Sequence, residues 1–350
     1  MEFGSVAVAL AEGAILAHSV TVRGRKIAKG RVLTADDVAT LTAAGRKTVT
    51  VGRLGPDDIG EDAAALRLAR ALVPDPAAAG ISLTAPHAGR VNLNASLPGI
   101  VEMDIDRLHG LNRVDPSLTF ATLHPFTRVT PGTLVGTVKI IAYGVSRAAL
   151  DTAAHTGASA IRVRPVQLGS AGLILTTADG VADKLAEKGR AAVAARLKAL
   201  GMSLAEVVTV AHDVATIAGA LSQLKGEMAL ILTAAATSDI RDTAPEAVRQ
   251  AGGTVARFGM PVDPGNLLFH GTLAGGKPVI GLPGCARSPA LNGADWVLER
   301  LACGLAVTEE DIAAMGVGGL LKEIPIRPKP REEHVGKAVK AAATSGDDFD

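Results

Sequence analysis

The sequence predicts an α/β protein. Its carboxyl-terminal half reads as a three-layer α/β/α domain with a mostly parallel sheet, joined to a β-rich amino-terminal region. Three observations carry this. From Ala160 onward, short apolar β-prone runs alternate with helical stretches, the pattern of a parallel sheet covered on both faces. Residues 80–145 hold short β-prone segments punctuated by turns, as a small β sandwich or barrel-like module would. The first 55 residues show period-two alternation at Ser19-Val20-Thr21-Val22 and Thr48-Val49-Thr50-Val51.

In chain order, Thr34 can cap a helix that runs through Leu41 and stops at Gly45, with Asp36 and Asp37 as helix-start charges. Asp57 to Leu72 has a helical apolar face of Ile59, Ala65, Leu66 and Leu72, broken by Pro74-Asp75-Pro76. The β-rich stretch comprises Arg90–Leu93, Ile100–Met103, Leu118–Leu123 and Thr137–Ile141, followed by a helix over Val145–Thr156. Strands are then expected at Ile161–Val166, Gly172–Thr176, Val207–Val210, Met228–Leu232 and Thr254–Phe258, and a hairpin joins Leu267–Leu273 with Lys277–Leu282. Helices are expected over Val181–Leu200, from Asp213 to Leu224, and around Pro245–Gln250. This divides the chain into an α+β segment at 1–75, a β-rich module at 80–155, an α/β domain at 160–306 and a flexible tail or linker at 320–350.

Composition narrows the function. The chain has 350 residues and a net charge of +1, so it offers no basic footprint for nucleic acid or for an anionic membrane. Aromatic residues are only 2%, which leaves few stacking platforms for bases. Two cysteines, Cys285 and Cys303, make neither a disulfide framework nor a zinc site. With no apolar run of membrane-spanning length, a cytoplasmic protein is expected.

Ligands of parallel sheets sit at the carboxyl ends of the strands. Here those ends are Thr176–Asp179, His212-Asp213, Thr233–Asp242 and Pro283–Arg287. The last of these leads into the helix that ends near Leu301. Ser288 reads as its N-cap and Pro289 as its first residue. Free backbone N–H groups at such a helix start, with Arg287 beside them, would make an anion cradle; the same residues also suit a capped connection with nothing bound.

Two of these loops resemble a known family. Leu232-Thr233-Ala234-Ala235-Ala236-Thr237-Ser238-Asp239-Ile240-Arg241-Asp242-Thr243-Ala244-Pro245 resembles the glycine-rich loop of the molybdopterin-binding domain shared by MogA, MoeA and gephyrin. Met260-Pro261-Val262-Asp263-Pro264-Gly265-Asn266 and Ile280-Gly281-Leu282-Pro283-Gly284 resemble the proline-glycine loop and the Leu-Pro-Gly turn of MoeA-type members. The likeness runs from about Gly172 to Leu305. It departs where Ala234-Ala235-Ala236 replaces the family's glycines, because alanine resists the close phosphate approach that glycine permits. Residues 1–55 are a fainter echo of MoeA-like segments outside that domain. The chain is also similar to a bacterial subgroup in which a nucleotidyltransferase domain follows a MoeA-like region, the charged tail being the linker.

The resemblance implies binding of molybdopterin or its adenylylated form during molybdenum cofactor biosynthesis, in a homo-oligomer, dimer or trimer. Its alternatives are an active Mg²⁺-dependent molybdopterin adenylyltransferase or molybdenum insertase, and a non-catalytic assembly module with a vestigial pocket. Candidate ligand contacts are Thr237, Ser238, Asp239, Arg241, Pro264, Gly265, Pro283, Gly284, Cys285, Arg287 and Ser288. Asp242 is the candidate catalytic residue, and Asp242 and Asp213 are the candidates for holding Mg²⁺. Both aspartates also read as helix caps, Thr243 and Glu246 can form a capping box, and Arg241 can be a surface ion pair.

Overall fold

The computed structural model describes residues 1–22, 24–177 and 183–321, so the tail expected at 320–350 lies almost wholly outside the described residues. Among the described residues four hydrophobic clusters form, one in each of the first two regions and one on each face of the sheet of the third. The first is built on a three-stranded antiparallel sheet of Glu2–Ala7, Thr48–Arg53 and Ile15–Leu16. The helix Ala35–Ala43 packs beside it. Thr34 and Asp37 close the capping box at its start, and Asp37 also accepts Arg31 Nε at 2.7 Å. Leu16, Ile27, Leu33, Leu41 and Val51 fill this core.

The second core differs from the expected β module, because three helices pack on its sheets. The four-stranded sheet runs Leu118–Thr122, Leu134–Ile140, Arg90–Ala95 and Ile81–Leu83. The helix Glu61–Leu72 buries Ala64, Ala65, Leu68, Ala69 and Leu72 here, although in sequence it falls within the 1–75 segment. The helix Arg147–Thr156 packs beside it, as does Ile105–Val114, which had little signal in the sequence: it buries only Leu108 and Leu111. The strand Ile161–Pro165, expected to open the α/β domain, pairs antiparallel with Gly99–Met103 and puts Ile161 and Val163 in this second core.

The six-stranded sheet that follows begins at Ser170. Its strands are β1 (Ser170–Thr177), β2 (Ser203–Ala211), β3 (Met228–Leu232), β4 (Thr254–Phe258), β5 (Phe269–Thr272) and β6 (Pro278–Gly281). Its helices are α1 (Asp183–Ala199), α2 (Val214–Gln223), α3 (Thr243–Gln250) and α4 (Gly293–Ala302). The sheet order is β2-β1-β3-β6-β5-β4. Strands β2, β1, β3 and β6 are parallel, and β5 is antiparallel to both β6 and β4, as the expected hairpin requires. Period-two alternation sends Leu173, Leu175, Leu230 and Leu232 to the face covered by α1 and α4. Ile174 and Ile231 go to the face covered by α2 and α3. These are the three expected layers.

The hairpin register puts Phe269 opposite Gly281, so a β-carbon added at Gly281 would run into the Phe269 ring. Gly281→Ala is expected to cost about 1–3 kcal/mol as an overpacked core site, read as a lowered urea midpoint; an unchanged midpoint would contradict this packing. Among the described residues, no helix is long and apolar enough to cross a membrane.

Candidate functional site

Because β2 lies on one side of β1 and β3 on the other, the chain reverses direction between β1 and β3. A switch point of this kind opens a crevice at the carboxyl ends of the strands. Thr177, Ala211, Leu232 and Gly281 end the four parallel strands on that side. Residues Ala178 and Asp179, named among the strand ends, lie outside the described residues.

One peptide unit ties the loops of this crevice together. The carbonyl of Thr233 accepts Arg287 Nη2 at 2.7 Å. On the same peptide plane, the Ala234 N–H donates to Thr176 Oγ1 at 2.8 Å. Thr176 Oγ1 lies 3.1 Å from His212 Nδ1. The ends of β1, β2 and β3 and the turn after β6 are therefore joined in one hydrogen-bonded row. The sequence marked Arg287 and named His212 and Thr176 only as parts of strand ends, with nothing to show that their side chains meet.

Arg287 is half-buried. Its Nη1 makes a longer contact with the Gly284 carbonyl at 3.4 Å, and its buried Nε has no hydrogen-bond partner among the described residues. Burial holds its guanidinium below the usual arginine range. Gly189 of α1, which weakens that helix in isolation, has its use here. A β-carbon there would come within 2.6 Å of Leu232 and 3.6 Å of the Arg287 stem.

The turn carrying Arg287 is held from beneath by a residue the sequence reading missed. Arg196 of α1 is buried and every nitrogen of its guanidinium is engaged. Nε donates to Asp295 at 2.6 Å, Nη1 to the Ala286 carbonyl at 2.8 Å, and Nη2 to the carbonyls of Ser288 at 2.8 Å and Ala290 at 3.2 Å. This rigid fork fixes residues 286–290 against α1 and α4. An arginine on a helix reads as solvent-facing in sequence, so only packing could reveal it.

Ser288 is not the cap of α4. Gly284–Arg287 forms a single 3₁₀ turn, and Ser288 ends it in an extended conformation. The cap is Asn292, which closes a capping box with Asp295. The rule that favoured Ser288-Pro289 is local, whereas Arg196 and Asp295 anchor the chain four residues later. Asn292 Nδ2 also donates to the sulfur of exposed Cys285 at 3.1 Å. Pro283 is buried, and Gly284 is exposed at the rim.

The β3–α3 loop uses most of its polar groups internally. Asp242 caps α3: one carboxylate oxygen accepts Thr243 N–H at 2.7 Å, and the other accepts Ser238 N–H at 2.9 Å and Ser238 Oγ–H at 3.2 Å. Hydrogen bonding from the Ser238 backbone holds its pKa below the usual carboxylate range. The cap thus falls on Asp242, one residue before the expected Thr243–Glu246 box. Asp239 pairs with Arg241 two residues on, at 2.9 Å, and both are exposed. Thr237 is buried beneath this loop. Pro264 and Gly265 serve α4: the Pro264 carbonyl accepts Gly293 N–H at 2.8 Å, and Gly265, at φ +146°, leaves no room for a β-carbon against Gly293.

The expected Mg²⁺ ligands do not form a cation site. Asp213 caps α2 through Thr216 N–H at 2.9 Å, and both oxygens of Asp242 are met as described. Among the described residues, no group of three His, Cys, Asp or Glu side chains could hold a metal. Asp213 and Asp242 serve as helix caps here, and no step below uses Mg²⁺.

Two family models match parts of the chain. Residues 172–302 match a family model described as "Probable molybdopterin binding domain". Residues 5–53 match a second model, described as a domain of unknown function (DUF8806). No curated protein matches the chain. Among solved structures, the molybdopterin biosynthesis MoeA protein from Pyrococcus horikosii is similar at 12% identity and a TM-score of 0.30, over 87% of this chain and 75% of that one. A molybdenum cofactor biosynthesis protein from Pyrococcus furiosus is similar at 12% identity and a TM-score of 0.23, over 89% of this chain and 65% of that one. The segment that builds the strand-end crevice, residues 172–302, therefore matches the molybdopterin-binding domain family.

Proposed function

We propose that the crevice between β1 and β3 binds molybdopterin or its nucleotide form, and that the protein acts in molybdenum cofactor biosynthesis. The family match over residues 172–302 supports the ligand class. The observation that carries the reading is Arg287. Its half-buried guanidinium is bonded only to carbonyl oxygens, and no carboxylate lies against it among the described residues. A desolvated cation without a counter-ion is costly, and a terminal phosphate would compensate it. Arg287 would hold that phosphate, while Arg196 keeps the turn beneath it in place.

The alanines at 234–236 leave less room for backbone-only phosphate contacts than glycines would, which makes the charged side chain the principal anchor. The committed oxygens of Asp242 favour binding over the Mg²⁺-dependent transferase reading.

Anaerobic calorimetric titration of molybdopterin into the wild type and Arg287→Ala tests the reading. Micromolar binding is expected, about −8 kcal/mol. Loss of one desolvated, charge-assisted contact should weaken it at least about tenfold in the variant. A folded wild type that does not bind molybdopterin overturns the ligand assignment, and equal binding by both proteins removes Arg287 from it.

A further inference from the structure

We infer that His212 is a second ligand contact of this crevice, its Nδ1 accepting from the Thr176 hydroxyl and its Nε2–H donating to an oxygen of a phosphate group. The inference rests on the function proposed above and adds a residue and a proton position to it.

The argument follows the hydrogen atoms. The Ala234 backbone N–H can only donate, so Thr176 Oγ1 accepts at 2.8 Å. Thr176 is 5% exposed, and its own hydroxyl hydrogen needs an acceptor. His212 Nδ1, 3.1 Å away, is the side-chain acceptor it meets. If Nδ1 carried the proton instead, both hydrogens would point at Oγ1 and the Thr176 hydroxyl hydrogen would be left in a buried setting without that acceptor. Nδ1 therefore accepts, and in the neutral ring the proton sits on Nε2.

The same row runs back to Arg287. The Thr233–Ala234 peptide accepts the guanidinium at its oxygen and donates to Thr176 at its nitrogen. Each donor in the series polarises the next. The row therefore runs from Arg287 through the peptide and Thr176 to His212, across the crevice mouth. His212 closes β2 through its own N–H to the Thr177 carbonyl at 3.1 Å, which fixes its backbone. The ring is partly exposed, so Nε2–H remains able to donate to a ligand. Arg287 meets the oxygen of the Thr233–Ala234 peptide, and His212 is joined to its nitrogen through Thr176, so both loops border the same crevice.

The test uses protein labelled with ¹⁵N in its histidine rings, His212 being assigned by the resonance missing from His212→Ala. The free wild type should show the Nε2–H tautomer at His212, and Thr176→Val should lose that preference. An Nδ1–H tautomer in the free wild type overturns the inference without touching the function proposed above. Molybdopterin titration then supplies the second readout. His212→Ala should bind about tenfold more weakly than wild type, the effect of one lost hydrogen bond to a charged group. His212→Gln should recover part of that loss, since its amide can accept from Thr176 and donate outward. Wild-type binding with no loss in His212→Ala overturns the inference alone. Absence of wild-type binding overturns the function and this contact together.

Discussion

Arg196→Met is expected to destabilise the protein by about 3–5 kcal/mol, the range for breaking a buried ion pair from one side. The substitution keeps most of the side-chain volume, so packing loss contributes little. What it removes is the guanidinium that meets Asp295 at 2.6 Å and the carbonyls of Ala286, Ser288 and Ala290. Asp295 is left buried with its charge uncompensated, although Asn292 N–H still reaches its other oxygen at 2.8 Å. Asp295→Asn in the Arg196→Met background should recover part of the loss, because it removes the orphaned charge. Urea denaturation of the two single variants and the double variant checks this, and a loss below about 1 kcal/mol in Arg196→Met would place the pair among ordinary surface contacts. The same variant should weaken molybdopterin binding even where it remains folded, since the turn bearing Arg287 loses its anchor. That effect separates Arg196 from an ordinary core residue.

Glu299 should make stability fall as pH rises from 4.5 to about 7. It lies in α4 against the middle module, 6% exposed, with Arg128 Nη1 at 3.2 Å. Burial raises its pKa from 4.5 to about 7; Arg128 and Arg300 oppose that shift, and Asp295 adds to it. Arg300 itself lies over the Phe126 ring, 4.3 Å from its centroid, in the same contact. Between pH 4.5 and about 7 the folded state holds a proton that the unfolded state has released. Stability from this group is therefore full below 4.5 and declines as pH rises to about 7, at up to about 1.4 kcal/mol per pH unit. Glu299→Gln keeps the shape and removes the titration. It should abolish this slope and be the more stable protein at pH 8, by about 1–3 kcal/mol. A wild-type stability that is flat from pH 5 to 8, after subtracting the Glu299→Gln curve, would show that the carboxyl stays solvated. Nearby Cys303 is buried too, its thiol pushed up to about 11 by burial, so it adds no charge in that range.

The two effects share a cause. In both, a charged side chain on a helix meets elements far away in sequence: Arg196 meets residues 286–295, and Glu299 meets Arg128. Helical periodicity assigns such residues to solvent, because it knows only their own helix.

Much of the architecture was nonetheless readable from local chemistry. Capping residues are short-range devices, and Thr34, Asp213 and Asp242 each cap a helix in the structure. Apolar runs such as Met228–Leu232 and Gly172–Thr176 announced strands buried on both faces. The hairpin of β5 and β6 followed from the Gly275-Gly276 turn between two β-prone runs. Failures came where pairing is non-local. Ile161–Pro165 groups in sequence with the parallel strands although Arg162 and Arg164 interrupt its apolar pattern, and it pairs antiparallel with Gly99–Met103, some sixty residues back. Lys277 reads as a solvated hairpin residue, but its ammonium donates to the Leu224 carbonyl at 2.6 Å.

The sequence by itself determined the strands, most helices and the strand-end loops, because hydrophobic period, caps and turn residues act over a few positions. It also singled out Arg287, as a cation beside an expected helix start that the structure places at Gly293 instead. Only the tertiary structure decided that Asp242 spends its oxygens on Ser238 and Thr243, that Asn292 rather than Ser288 caps α4, and that Arg196 holds the turn. It alone brought Thr176, His212 and Arg287 onto one peptide. The reason is physical: a side chain's hydrogen-bond partners are set by which strands lie side by side, and the β2-β1-β3-β6 order joins residues up to 111 positions apart, from Thr176 to Arg287.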